Sequence, residues 1–371
     1  VNPLTDAEFA DLQSIVGARR RVWPAVLRAE PHAVARFALG VGDDNPLWCD
    51  PWEISAVPPP FLYAGVNFGS YPQTGLPSGT RRPTITLWMR DKWDWHRPVL
   101  PGEWFSASSE IALVEERIRE GRRQGAIVTE VISFVDSVGE PLALLERSTI
   151  TMPRLADGVA ASPVPQPPGK QDLARLARSY ANEASFRRGG EPRWWDDLAM
   201  DDELAPIAKG PLTVTSLVGF AMGWGAPLCP TNRALANWVQ ANPDATVRNL
   251  RTGWPEGPEG IHWDPDVYGA FGYDLGFDFG PQRISWAAHL ITDWCGDNGR
   301  LTALDSRLLK PNFLGDITWF GGNIVALHPV SDREGEAIVA IEGVNHRGET
   351  TTAATARVRL PRRPISAHSA L

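Results

Sequence analysis

Residues 125–136 and 142–152 are rich in Val, Ile, Leu, Thr and Phe and flank Gly139, so they read as two β-strands joined by a turn. Residues 336–344 and 350–360 repeat this pattern around Gly348. A different period governs Pro281–Trp294. There Ile284, Ala287, Ala288, Ile291 and Trp294 recur at helical spacing. Pro281 suits a first helical position, and Gly280 stands just before it. Shorter helical stretches, 31–39 and 214–222, precede irregular Gly/Pro/Asp-rich regions.

The chain therefore carries one layout twice. Arg97-Pro98-Val99-Leu100-Pro101-Gly102-Glu103 matches Lys310-Pro311-Asn312-Phe313-Leu314-Gly315-Asp316, each pair 213 residues apart. Ala126-Ile127-Val128 matches Ala337-Ile338-Val339 at 211, Gly139-Glu140 matches Gly348-Glu349 at 209, and Pro153 matches Pro361 at 208. An offset drifting by loop-sized steps is that of a duplicated domain, not of a short-period solenoid. Between the copies lies Pro153–Gln171, where Pro163, Pro165, Pro167 and Pro168 remove backbone donors. The expected organisation is an N-terminal domain over 1–152, a Pro-rich linker over 153–171 and a C-terminal domain over 172–371. The fold class is α+β, with an antiparallel sheet wrapped on a central helix, made twice as a pseudo-dimer within one chain.

Composition narrows the function classes. With 371 residues, 43% apolar and 22% charged, the chain can bury a sizeable core. A net charge of −8 disfavours a nucleic-acid partner. No apolar run is long enough for a membrane span, and no secretory leader is visible. Cys49, Cys229 and Cys295, odd in number and far apart, suit reduced thiols in a cytoplasm. The 16 tryptophans favour large flat contacts or a wide pocket. Only Lys92, Lys170, Lys209 and Lys310 are lysines, a bias that genome composition or phosphate recognition by arginine would produce. The sequence contains no H-E-x-x-H, Cys/His cluster, phosphate-binding loop, dinucleotide fingerprint or G-x-S-x-G elbow. Neither a metal nor a cofactor is expected.

The chemistry-bearing residues sit in the irregular regions. The first half reads Phe37-Ala38-Leu39-Gly40-Val41-Gly42-Asp43-Asp44-Asn45-Pro46-Leu47-Trp48-Cys49-Asp50. This resembles the signature of the MaoC-like acyl dehydratases, which include the R-specific enoyl-CoA hydratases: Gly-Asp-x-Asn-Pro-Leu/Ile-His-x-Asp after a helix ending in Phe-Ala. Gly42, Asp43, Asn45, Pro46, Leu47 and Asp50 match, and Trp48 occupies the histidine position. The second half reads Ile261-His262-Trp263-Asp264, with His262 and Asp264 each 214 residues after Trp48 and Asp50. The missing histidine thus reappears in the other copy. There the aspartate position holds Gly257, after roughly thirty extra residues, with Glu256 and Glu259 beside it. The resemblance spans about Pro31–Met152 and Pro211–Pro361.

The resemblance implies a double hot-dog fold and an acyl thioester substrate, on coenzyme A or a carrier protein. It implies a hydro-lyase without cofactor, in which His262 is the acid/base and Asp264, Asp43 and Asn45 belong to the catalytic set. Hydration needs a group that exchanges protons near neutral pH. It also needs donors for an enolate-like oxygen, which the helix start at Gly280–Arg283 offers. Trp48 becomes a wall for the substrate tail. Plainer roles stand beside these. Asp43 and Asp50 suit turn capping, His262 an inert loop position, His289 a packed core, His96 a structural position preceding a strand, and Arg283 an ion pair with Asp278. The alternatives are a hot-dog enzyme with other chemistry on a bulky secondary metabolite, and a non-catalytic acyl-binding subunit. The partner is a small molecule, with no nucleic acid or membrane and a homodimer as a possible assembly.

Overall fold

The computed structural model describes residues 4–20, 26–50, 54–66, 84–153, 165–225, 231–241, 243 and 246–364. Most of the Pro-rich linker, residues 154–164, lies outside them, as does Cys229. In the first half, strands β1 (Arg19–Arg20), β2 (Val26–Arg28), β3 (Thr84–Trp95), β4 (Trp104–Arg119), β5 (Arg122–Asp136) and β6 (Pro141–Pro153) accompany helices α1 (Asp6–Gln13), α2 (Pro31–Val41) and α3 (Pro46–Cys49). Helix α4 (Lys170–Phe186) leads into the second half. There follow β7 (Glu203–Lys209), α5 (Val214–Trp224), α6 (Asn232–Ala241), the short pair β8 (Val247–Arg248) and β9 (Pro255–Glu256), α7 (Pro265–Ala270), α8 (Gly280–Cys295), β10 (Arg300–Leu308), β11 (Thr318–Pro329), β12 (Glu334–Asn345) and β13 (Thr350–Pro361).

The two halves share one eleven-stranded antiparallel sheet, with the order β1-β4-β5-β6-β3-β10-β13-β12-β11-β7 and β2 also on β4. The halves mirror each other about the β3–β10 seam. Its register shows why: Arg90 pairs with Arg307 and Asp94 with Ala303. Residues 90 and 303, like 94 and 307, stand 213 apart, so the seam obeys the two-fold relation that the sequence repeat demands. Arg90 clasps Asp305 across it with Nε 2.7 Å from Oδ1.

The sheet wraps around α8, whose side chains are buried on every face, as a central core helix requires. The position 213 residues before α8 falls on 67–82, outside the described residues. Helices α2 and α5 cross with their backbones nearly touching. A Cβ on Gly223 would stand 2.3 Å from the Arg36 carbonyl oxygen, so only glycine permits this approach.

The tryptophans act as staples. Trp93 stacks on Trp95 at 5.2 Å and on Phe134 at 5.4 Å. Indole N–H groups of Trp224, Trp286 and Trp195 donate to the distant carbonyls of Tyr63, Val41 and Glu336. Each joins large apolar burial to a satisfied polar tip. No helix among the described residues is long and apolar enough to cross a membrane.

Candidate active site

His262 closes a 3-10 turn, Pro258–His262, that leads into α7. Its ring is half-buried, 3.9 Å from the Phe279 ring and 5.3 Å from that of Phe277. Nδ1 lies 2.7 Å from the Phe277 carbonyl oxygen. A carbonyl only accepts, so Nδ1 carries the proton and Nε2 the lone pair. Burial pushes the imidazole down to about 4, while the Phe277 carbonyl and the field of Asp278 oppose the shift. His262 is therefore neutral at physiological pH, with a fixed tautomer.

The imidazole is held by the Phe277 carbonyl and not by Asp264. The Asp264 carboxylate is occupied in the backbone: Oδ1 accepts the Asp266 and Val267 N–H groups at 2.9 and 3.4 Å, capping α7. Oδ2 accepts Asn249 Nδ2 at 2.9 Å. Burial and the neighbouring Asp264 raise the Glu256 carboxyl above its ordinary value.

Helix α8 begins beside this ring. Gly280 is required by contact, since a Cβ there would meet the Trp88 side chain at 2.5 Å. Trp88 is itself anchored through Nε1 to Asp91 Oδ1 at 2.8 Å. Asp91 is fully buried and also accepts from the Tyr63 hydroxyl, and its burial raises it to about 6. The first turn of a helix leaves N–H groups without intrahelical partners and carries the positive end of the dipole. Pro281 has no N–H, so Gly280 and Gln282 supply the donors at this end. Arg283 does not face a substrate phosphate. Its guanidinium is buried, paired with Asp278 at 2.6 Å through Nε, and donates through Nη1 to the Lys310 and Thr351 carbonyls.

The first-half motif sits elsewhere. Asp43 Oδ1 accepts the Asn45 N–H at 3.1 Å, and Asn45 Oδ1 caps α3 through the Leu47 N–H at 3.0 Å. Both side chains therefore shape the turn, as their sequence suggests. Trp48 is buried in the main core, and its Nε1 has no hydrogen-bond partner among the described residues. Asp43 does not join His262. Its carboxylate lies 3.4 Å from Nε2 of His289 on α8. His289, which the sequence suggests is packed in the core, is buried, yet in polar company: Lys209 Nζ at 2.7 Å from Nδ1 and Asp293 at 3.2 Å from Nε2. The signal for this cluster was His289 and Asp293 four apart on one helix, with Lys209 among only four lysines.

Trp48→Ala is expected to cost about 3–5 kcal/mol, because a buried indole leaves a cavity that the turn at Asp43–Asn45 cannot close. Urea unfolding with an unchanged slope and a lower midpoint would bear this out. A change below about 1 kcal/mol would show that the turn collapses into the space.

No family model matches the chain, and no curated protein matches it. Solved structures do match. One MaoC-like dehydratase is 19% identical with a TM-score of 0.63, covering 94% of this chain and 99% of that one. A MaoC domain protein dehydratase from Chloroflexus aurantiacus J-10-fl is 14% identical, with a TM-score of 0.55 and 94% and 96% coverage. A Mycobacterium tuberculosis protein described as a double hotdog fold is 15% identical, with a TM-score of 0.52 and 95% and 98% coverage. The chain has the double hot-dog fold of these MaoC-like proteins over nearly its whole length.

Proposed function

We propose that the chain is a hydro-lyase of the MaoC type, adding water to or removing it from an acyl thioester at the His262 site. The observation that carries this reading is the Nδ1–Phe277 carbonyl bond beside the start of α8. It leaves a basic nitrogen next to a helix N-terminus, the two groups that enoyl hydration needs.

In the hydration direction, Nε2 takes a proton from water as the water oxygen bonds to the β-carbon. The double-bond electrons move to the thioester oxygen, which the N–H groups at the start of α8 stabilise. The imidazolium then returns its proton to the α-carbon, and the enolate collapses to the 3-hydroxyacyl thioester. One group carries the proton both ways, so this sequence requires no second carboxylate. Phe277, Phe279 and Trp263 form an apolar wall suited to an acyl chain.

A second reading, an acyl-binding subunit without catalysis, is favoured by Gly257 at the aspartate position and by the use of Asp264 as a helix cap. Incubation with a crotonyl thioester in heavy water separates the two. Loss of the enoyl absorbance with deuterium at the α-carbon supports the hydro-lyase, and binding without either supports the subunit. A cinnamoyl thioester tests the bulky-substrate alternative in the same assay.

A further inference from the structure

We propose that Asp43, His289 and Asp293 form a binding site for a first-row divalent cation, joining the motif turn of the first half to the central helix of the second. His289 and Asp293 lie one turn apart on α8, so both face the same way. Asp43 reaches them from the turn after α2. Nε2 of His289 stands 3.2 Å from Asp293 Oδ2 and 3.4 Å from Asp43 Oδ1, and Glu183 Oε1 on α4 is 3.7 Å away. Donors around one ion with bonds of about 2.0–2.2 Å are separated by about 3.0–3.5 Å. The first two separations match those of donors around a shared cation, and neither contact is a well-aligned hydrogen bond.

An independent observation points the same way. Nε2 of His289 and Oδ2 of Asp293 are both buried and face each other at 3.2 Å without a well-aligned hydrogen bond to any described residue, though their residues are 2% and 4% exposed. Such atoms are costly unless something satisfies them. A small cavity lined by Asp43 and His289, with Phe37, Val41, Pro60 and Ser285, adjoins them and has room for about one water as a further ligand. Charge favours a cation as well. Asp43, Glu183 and Asp293 lie here with the more exposed Asp44, against Lys209 and Arg187 among the described residues. One imidazole with carboxylates suits Zn²⁺ or Mn²⁺ better than Ca²⁺.

Lys209 is the competitor. Its ammonium lies on Nδ1 and donates also to the Gly42 carbonyl at 2.6 Å. A ligating Nε2 places the ring proton on Nδ1, where a carbonyl or amide oxygen can accept it and an ammonium cannot. Lys209→Gln should therefore tighten metal binding, both by removing a cation beside the site and by giving the ring proton an acceptor. The sequence hid the site because no single short motif carries all three donors, at positions 43, 289 and 293.

The test is metal binding by the purified chain, stripped with a chelator and then titrated with Zn²⁺ and with Mn²⁺ separately. About one equivalent bound by the wild type is expected, with a raised Tm. His289→Gln and Asp293→Asn should each lower affinity at least tenfold, and Lys209→Gln should raise it by about tenfold or more. Far-ultraviolet circular dichroism checks that each variant folds, and Asp43→Asn replaces either of the first two that does not. No binding of either metal by the wild type overturns the proposal. So does binding that survives loss of His289 and Asp293, or an affinity that Lys209→Gln leaves unchanged or weakens.

Discussion

His262→Gln is expected to lower kcat/KM for an enoyl thioester about a hundredfold or more, with KM little changed. The amide keeps a donor for the Phe277 carbonyl but has no basic nitrogen, so the loss isolates proton transfer from packing. The pH profile of the wild type checks the same claim independently. Burial holds the imidazole at about 4, so its free-base form persists far below the ordinary histidine range. The acid limb of kcat/KM should therefore fall near pH 4 to 5, not near 6.5. A limb near 6.5 would mean a solvated base other than this ring. Stability follows with a definite sign. The unfolded chain takes up a proton near pH 6.5 and the folded chain near 4, so stability present above pH 6.5 is lost as pH falls through that window. The loss is of order 2–3 kcal/mol, reduced by the partial exposure of the ring, and His262→Gln should abolish it.

The fold was more legible than the site, for physical reasons. Strand pairs announce themselves locally: residues 125–136 and 336–344 became β5 and β12 with ends shifted by three residues or fewer. The duplication was legible because register at the seam must respect the same offset as the sequence. Helix α4 was missed: the prolines before it masked its start, and Leu176 is its one buried side chain, too little for a clear apolar stripe. Strand β3 was missed because its alternation breaks at buried Asp91, a polar residue whose partners, Tyr63 and Trp88, only the fold supplies. For the candidate site, the repeat offset pointed to His262 and the helical pattern to Gly280. Neither could show that Asp264 caps a helix or that a backbone carbonyl holds the imidazole, because those contacts depend on where Phe277 lies. His289 was hidden more deeply, since Asp43 and Lys209 reach it from elements 80 or more residues away.

Asp278→Ala is expected to be among the most destabilising single changes in the chain, at about 3–5 kcal/mol. Asp278 and Arg283 are both buried, and they meet in a two-pronged contact at the start of α8. Asp278 also accepts from the Asn312 backbone and side chain at 3.2 and 3.1 Å. Its removal leaves a guanidinium in the core with two carbonyls and no countercharge, and two donors of Asn312 unmet. That is the expensive case of a broken buried pair, because a buried charge has lost its compensation while water cannot reach it. Arg283→Met alone leaves the carboxylate in the same position, with Asn312 still donating to it, and should cost less. The double change Asp278→Asn with Arg283→Met removes both charges and keeps donors and volume, so it should recover much of the loss. Denaturant unfolding of the wild type, Asp278→Asn, Arg283→Met and the double variant gives the coupling energy directly. A coupling below about 0.5 kcal/mol would mean that each group is satisfied without the other. The pair also fixes the first turn of α8 to the loop at Lys310–Asn312 between β10 and β11, beside the donors on which the proposed chemistry depends. The double variant should therefore fold and yet lose kcat more than it raises KM, because misplaced donors weaken the enolate-like state more than the bound substrate.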